Sequence, residues 1–351
     1  MAVLGSGSWG TSFSTVLAEG GAAVTMWARR PELAREIDEA SRNSDYLPGV
    51  NLPASLRASS DIGRALAGAE HVFVALPSQS VREFLTEVQP LIPGGASVVS
   101  LMKGVERSTQ LRMSQVVEQA LEISADRIAV LSGPNLALEI ARGEPTSAVV
   151  SSQSLATAQS VARCASNGSF RSFVNTDVIG TEFGGVLKNL IAVAIGIVDG
   201  VGYGENTKAS IITRGLVEMT EFAVAFGAEP ATLAGLAGLG DLIATCQSPL
   251  SRNNTAGRLL GQGYSLPDVI ARMNQTAEGL TSIEPVLALA RTRGVSMPIV
   301  EQVSQVLRGT LAPKDLAPHL TGDAEPAAEG IGEPVASPRS RWRNPFRRAS
   351  S

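Results

Sequence analysis

A chain of 351 residues, 44% hydrophobic and 18% charged, exceeds the roughly 250–300 residues at which a single core stops growing, so two domains of a globular protein are expected. Its net charge of −4 and pI near 5.5 remove any global reason to expect nucleic acid or an anionic membrane as partner, since both call for a concentrated positive field. Cys164 and Cys246 lie far apart without a CxxC companion, and His71 and His319 are the only histidines, so neither a disulfide framework nor a metal site is expected.

The first residues read Met-Ala-Val-Leu-Gly5-Ser-Gly7-Ser8-Trp9-Gly10. No basic segment leads into a long apolar one here, which predicts a cytoplasmic protein without a secretion signal. A short apolar strand, Ala2 to Leu4, runs into the glycines, and Phe13, Val16 and Leu17 then recur at helical spacing over Thr11 to Ala18. Between a strand and a helix, the glycine turn offers free N–H groups and a helix dipole to a pyrophosphate. Gly7 lets the ligand approach the backbone, and Gly10 permits close helix packing. The pattern alone is weak, because glycine turns also serve purely backbone ends; its place in the chain is what predicts a dinucleotide.

The second strand runs from Ala23 to Trp27. An acid commonly follows at this point in NAD enzymes, where it binds the ribose hydroxyls. Here the chain has Ala28-Arg29-Arg30, and guanidinium groups favour a 2′-phosphate through charge-assisted hydrogen bonds. NADP(H) is therefore the favoured cofactor, with NAD(H) possible; the plainer alternative is two solvated arginines ahead of a helix starting at Pro31. The turn-rich segment Asp45 to Pro53 reads as a loop between two mononucleotide-binding halves.

Strands are then predicted at His71 to Leu76, Ser97 to Leu101, Arg127 to Leu131, Ser147 to Val150 and Phe170 to Val174. Their alternation with helical stretches predicts an α/β, doubly wound, Rossmann-like domain with a parallel sheet over residues 1–176. Ligands in such sheets sit beyond the carboxyl ends of the strands. Pro77-Ser78-Gln79, Met102-Lys103-Gly104 and Ser132-Gly133-Pro134-Asn135 occupy those places and are expected to converge. Lys103 would supply positive charge there and Asn135 hydrogen bonds, unless Lys103 is an ordinary loop lysine.

Past Asp177 the strand-like runs stop. Helical windows at Val178 to Val198, Thr207 to Phe226, Asn253 to Leu260, Leu266 to Met273, Ser282 to Thr292 and Pro298 to Leu307 predict an all-helical C-terminal domain over residues 177–321. The run Phe183 to Val198 falls short of the roughly 20 apolar residues a bilayer needs, so it reads as a buried helix with no stable membrane insertion. Lys188 is the one ionisable group in it. Such a lysine either snorkels to water or is held in a cleft, where desolvation lowers its pKa towards the range useful for acid–base work. Asp241, in Gly238-Leu-Gly-Asp241-Leu, is a candidate partner, or else a helix-capping acid. Ser251-Arg252-Asn253-Asn254 precedes a helix and would suit a phosphate. From Gly322 the chain is Pro-, Ala- and Glu-rich and then basic, with Arg339, Arg341, Arg343, Arg347 and Arg348, and residues 322–351 read as a disordered tail.

These pieces together resemble bacterial NAD(P)-dependent glycerol-3-phosphate dehydrogenase. The likeness is carried by Gly5 to Thr11, Tyr46-Leu-Pro-Gly-Val50, Lys103-Gly104, Ser132-Gly133-Pro134, Val186-Leu-Lys188-Asn189, Ile212-Thr-Arg-Gly-Leu216, Gly238 to Leu242, Ser251-Arg252-Asn253 and Glu278-Gly279, in the family's order up to about residue 310. It implies reversible hydride transfer between NAD(P)H and dihydroxyacetone phosphate, giving sn-glycerol 3-phosphate for glycerophospholipid biosynthesis, in a homodimer. It also implies that Lys188 is the proton donor or acceptor, with Asp241 and Lys103 beside it. Gly133, Asn135, Asn189, Ser251, Arg252 and Asn253 would complete the substrate's surroundings. Gly5, Gly7, Ser8, Trp9, Gly10, Arg29, Arg30, Lys103, Ala137, Arg252, Thr276 and Glu278 would contact the cofactor. Asn135 stands where the family usually has Ser or Thr. Hydroxyacid and 6-phosphogluconate dehydrogenases share the Lys-Asn pair but not Ser251-Arg252-Asn253 together with Gly238 to Asp241, and a silent NADP(H)-binding regulator would need neither Lys188 nor Asp241.

Overall fold

The computed structural model describes residues 1–273 and 277–316. In the first half, strands and helices alternate as β1 (Ala2–Leu4), α1 (Ser8–Glu19), β2 (Thr25–Trp27), α2 (Pro31–Ala40), β3 (Arg57–Ser59), α3 (Ile62–Leu66), β4 (His71–Val74), α4 (Val81–Val88), β5 (Ser97–Ser100), α5 (Met113–Leu121) and β6 (Ile128–Ser132). Three more elements close the sheet region: α6 (Ala137–Ala141), β7 (Thr146–Ser151) and α7 (Leu155–Cys164), followed by the edge strand β8 (Phe170–Asn175). Among the described residues, helices follow without further strands: α8 (Val178–Val201), α9 (Glu205–Ala225), α10 (Pro230–Leu233), α11 (Asp241–Gln247), α12 (Arg252–Gly261), α13 (Leu266–Arg272), α14 (Glu278–Arg293) and α15 (Pro298–Leu307).

The sheet order is β3-β2-β1-β4-β5-β6-β7-β8, so the first six strands have the Rossmann arrangement with its switch point between β1 and β4. The helical region follows, and the fold class is as expected from the sequence. Three details differ. The sheet is not wholly parallel, because β7 runs antiparallel to β6, pairing Val130 with Ser151 and Ser132 with Val149. The five residues of α6 extend about 7.5 Å, too little to return the chain along the roughly 16 Å of the five-residue β6. The strand β3 was not anticipated: Arg-Ala-Ser has little strand propensity, and it is extended because β2 templates it, from Thr25 with Arg57 to Trp27 with Ser59. The turn-rich segment from Asp45 to Pro53 is indeed a loop, but it precedes β3 and so lies inside the first mononucleotide-binding half rather than between the halves. The tail at 322–351, with its five arginines, and His319 lie outside the described residues.

Apolar side chains bury on both faces of the sheet. Phe13, Phe73 and Phe170 pack on one face, and Leu85, Val98 and Val116 on the other. A separate cluster surrounds α8, whose Phe183, Leu187, Ile191 and Ile195 meet Met219, Phe222, Leu242 and Val286. With 24 residues, α8 is longer than the apolar run read from the sequence, and by length and composition it could cross a membrane. Yet 83% of its most apolar window is buried inside the protein. Burial on nearly all sides explains why this helix is apolar all round rather than striped.

Two contacts fix α8 against its neighbours. Glu182, in its second turn, accepts hydrogen bonds from the Ser114 backbone N–H (2.8 Å) and hydroxyl (2.6 Å) and pairs with Arg112, tying α8 to the start of α5. Further along, α8 and α12 approach backbone to backbone. A Cβ at Gly196 would stand 2.1 Å from the Asn254 carbonyl oxygen, and one at Gly257 would stand 2.1 Å from that of Val193. Only hydrogen fits at either place.

Gly257→Ala is accordingly expected to cost at least about 1–3 kcal/mol, the usual range for overpacking, because neither main chain can yield. Thermal melts followed by circular dichroism should show a lowered midpoint, whereas Gly94→Ala, with nothing within 4 Å, should leave it in place. Equal midpoints for the two variants would contradict the close-contact account.

Candidate active site

The glycine turn leaves β1 at Gly5, whose φ of +122° favours glycine and whose Cβ would collide with the Ala75 carbonyl oxygen at 2.4 Å. Gly7 is the N-cap of α1 and has no side-chain cap, and no atom lies within 4 Å of where its Cβ would stand. The start of α1 thus has no side-chain cap and open space beside Gly7, a geometry suited to a pyrophosphate. At Gly10, a Cβ would meet the Gly5 carbonyl oxygen at 2.2 Å, so the helix can start this tightly only on glycine. The side chains predicted to contact cofactor are braced here. Ser8 donates its hydroxyl to the Tyr46 carbonyl (2.9 Å), and the Trp9 indole donates to the Leu101 carbonyl (3.2 Å). Ala137, the first residue of α6, accepts from the Ser12 hydroxyl at 2.7 Å and so borders the same helix.

Arg29 and Arg30 are exposed at the end of β2, as the sequence reading placed them. Their surroundings differ. Arg30 pairs with Asp45 and has Glu32 at 4.0 Å, whereas the Arg29 side chain enters no ion pair among the described residues.

The turns after β5 and β6 meet α8 and α11 in a buried ionic cluster. Asp241 is 1% exposed, and its two carboxylate oxygens reach Lys188 Nζ at 2.9 Å and Lys103 Nζ at 2.6 Å. Lys103 also donates to the Gly133 carbonyl at 3.0 Å. Thr245, one turn after Asp241 on α11, accepts from Lys188 Nζ at 2.6 Å and lies 3.3 Å from Asp241 Oδ1. Of the two readings of Asp241, the ion-pair partner is the one seen; it stands in the first turn of α11 but makes no capping bond. Lys103 is likewise no surface lysine, its side chain being 14% exposed.

Glycines make the cluster possible. A Cβ at Gly185 would meet the Ser132 hydroxyl at 2.7 Å, and one at Gly184 would meet the Ala237 carbonyl oxygen at 2.4 Å. The end of β6 and the turn ahead of α11 can therefore press onto α8 just before Lys188. Burial pushes Lys188 down from its ordinary value to about 8, with the neighbouring Lys103 acting the same way and Asp241 opposing. An ammonium near neutrality both holds and releases a proton readily.

The remaining predicted residues frame this cluster. Ser251 caps α12 by accepting from the Asn254 N–H at 3.2 Å, and Arg252 follows at the helix start, on the exposed side. Desolvation raises the Glu278 pKa, and Arg252 is the strongest cation opposing it, with Lys103 and Lys188 adding to its effect. Three cations thus share one field with two carboxylates. Asn189 and Asn253 hold each other: the Asn253 amide donates to Asn189 Oδ1 (2.9 Å) and accepts from the Gly279 N–H (2.9 Å), joining α8, α12 and α14. Both polar atoms of Asn135 are shielded from solvent without a hydrogen-bond partner among the described residues, the condition of an amide suited to a bound polar ligand. Thr276 lies outside the described residues. Sequence reasoning missed Thr245 and Asn43. The i, i+4 spacing from Asp241 on one helix would have found the first. Asn43, which donates to the Ser6 carbonyl (2.9 Å) and Thr11 hydroxyl (2.8 Å), left no comparable signal.

Residues 1–158 match the model of the NAD-dependent glycerol-3-phosphate dehydrogenase N-terminus, and residues 177–318 that of its C-terminus. The glycerol-3-phosphate dehydrogenase [NAD(P)+] of Leifsonia xyli is 71% identical over 327 residues, covering 93% of this chain and 89% of its own. That of Frankia casuarinae is 52% identical over 328 residues, covering 93% and 97%. Among solved structures, the glycerol-3-phosphate dehydrogenase of Coxiella burnetii superposes with a TM-score of 0.85 at 35% identity, covering 91% of this chain and 97% of its own. On this agreement, across both the sheet and the helical region, the chain belongs to the NAD-dependent glycerol-3-phosphate dehydrogenase family.

Proposed function

We infer that the protein catalyses the reversible NAD(P)H-dependent reduction of dihydroxyacetone phosphate to sn-glycerol 3-phosphate. The observation that carries this reading is the buried Lys188–Asp241–Lys103 cluster, set at the carboxyl ends of the sheet strands beside an uncapped glycine turn. Residues 1–176 serve as the dinucleotide-binding unit and residues 177–321 as the substrate unit. Family membership also supports a product used for glycerophospholipid biosynthesis and a homodimer working in the cytoplasm.

The dinucleotide, when bound, supplies or accepts the hydride. The chain's own residues handle charge, position and proton. In reduction, negative charge develops on the ketone oxygen, and the Lys188 ammonium stabilises it and then delivers its proton there. Asp241 and Thr245 fix where Nζ points, 2.9 and 2.6 Å away. Lys103, on the other carboxylate oxygen, keeps Asp241 from neutralising Lys188 alone. Arg252, together with the amides at the start of α12, anchors the phosphate and so orients the carbonyl. Asn135 supplies hydrogen bonds to substrate or nicotinamide. At the other end of the cofactor, Arg29 and Arg30 favour NADP(H), and NAD(H) is also accepted.

Lys188→Ala should lower kcat for dihydroxyacetone phosphate reduction by about 10²–10⁴-fold, the usual contribution of a positioned acid, while leaving NADPH binding near its original strength. Nicotinamide absorbance and fluorescence titration measure the two quantities, and undiminished turnover would remove Lys188 from the reaction.

The lowered Lys188 pKa sets a direction for the pH dependence. Below about 8 the ammonium is present and reduction proceeds; as pH rises through about 8 the donor is lost and the reduction rate falls. Oxidation of glycerol 3-phosphate needs the free amine and should rise over the same interval. Paired pH profiles test this, and parallel profiles for the two directions would contradict it.

A further inference from the structure

Around Arg30 the local charge is not that of two arginines. Arg30 is the N-cap residue of α2, directly after β2, and its guanidinium pairs with Asp45 while Glu32 stands 4.0 Å away. Two acids therefore accompany the two arginines at the place where a 2′-phosphate would lie. The backbone that carries Asp45 is also held in place, so its carboxylate stays near Arg30 even when turned aside. Its loop is bolted to the glycine turn on both flanks, by Asn43 Nδ2 on the Ser6 carbonyl (2.9 Å) and by the Ser8 hydroxyl on the Tyr46 carbonyl (2.9 Å). The Leu47 N–H closes the loop on the Asn43 carbonyl at 2.8 Å.

We propose that Asp45 is a specificity-determining residue, a built-in carboxylate that competes with the cofactor's 2′-phosphate for Arg30 and so keeps NAD(H) competitive with NADP(H). The inference rests on the functional reading above and extends it to the choice of cofactor. A phosphate at this position carries a charge between about −1.5 and −2 near neutrality. To reach Arg30 it must displace the Asp45 carboxylate and then remain beside it. A ribose hydroxyl faces neither demand. Asp45 thus penalises only the phosphorylated cofactor, leaving Arg29, which enters no ion pair among the described residues, as the uncontested contact.

The size of the effect follows from exposure. The Arg30 and Asp45 side chains are 44% and 54% exposed, so water and salt screen their interaction. An exposed pair of this kind is worth about a two- to fivefold change in an equilibrium, enough to tune a preference and too little to create one.

The test uses the full chain, with fluorescence titration of NADPH and NADH and calorimetry of adenosine 2′,5′-bisphosphate, which reports the 2′-phosphate without turnover. Asp45→Asn is expected to tighten NADPH and the bisphosphate about two- to fivefold relative to NADH at low salt, with the gain shrinking as salt is raised. Combined with Arg30→Ala, most of that gain should vanish. Glu32→Gln, which alters the same field without touching the loop, should shift the ratio in the same direction by less, and it keeps the test open if Asp45→Asn does not fold. An NADPH-to-NADH ratio unchanged or moved towards NADH in Asp45→Asn overturns the inference, because the carboxylate would then be aiming the guanidinium rather than competing for it. Original protein that binds neither dinucleotide overturns the functional reading itself. Binding of both, unresponsive to these substitutions, overturns only the role of Asp45.

Discussion

One carboxylate shared by two ammonium groups holds the cleft together. Asp241 joins α11 to Lys188 of α8 and to Lys103 of the turn after β5, so a single side chain connects the helical region to the sheet. Burying these charges separately would be costly, because each would lose its hydration with nothing in return. Together they satisfy one another, and the Thr245 hydroxyl and Gly133 carbonyl take up further lysine hydrogens. The same burial that makes Asp241 necessary brings Lys188 close to neutrality. Stability and reactivity at this site have one origin.

The glycines near the cluster belong to that argument. Gly184 and Gly185 admit a carbonyl oxygen and a serine hydroxyl into the space their side chains would fill. Glu182, two residues earlier, anchors the same helix to α5. Lys188 is thus presented by a helix whose position is set from both sides of the sheet–helix boundary.

Much of this was readable before any coordinates. A lone ionisable residue in an apolar run marked Lys188, and strand-end position marked Lys103 and Asn135, because in a doubly wound sheet those ends share one crevice. What stayed hidden was pairing between distant segments. Nothing in Arg57-Ala-Ser59 announces a strand, since β2 imposes it, and nothing in residues 133–145 announces that β7 will reverse direction. Asp241 carried two readings, capping acid and ion-pair partner, that only the placement of α8 could separate. Sequence alone offers Arg29 and Arg30 as two like cations, whereas the Asp45 carboxylate, fifteen positions after Arg30, sets them apart. The family resemblance puts Asn189 and Asn253 in the substrate's surroundings, and the structure adds that Asn253 donates to Asn189 as a joint between helices.

The contact of α8 with α12 has a consequence for how such a site can change. Gly196 and Gly257 bring two main chains together with no side chain between them, so the separation of Lys188 from the Ser251–Asn254 turn is set by backbone. A distance of that kind cannot be adjusted by exchanging one residue for a slightly larger or smaller one. Substitution at the seam either preserves the spacing or breaks the contact, with no graded steps in between. The reach from the Lys188 ammonium to the start of α12 is therefore a ruler of nearly fixed length. Any gradual adjustment of this cleft by substitution therefore falls to the residues rimming it, while the span between its two ends stays as the backbone sets it.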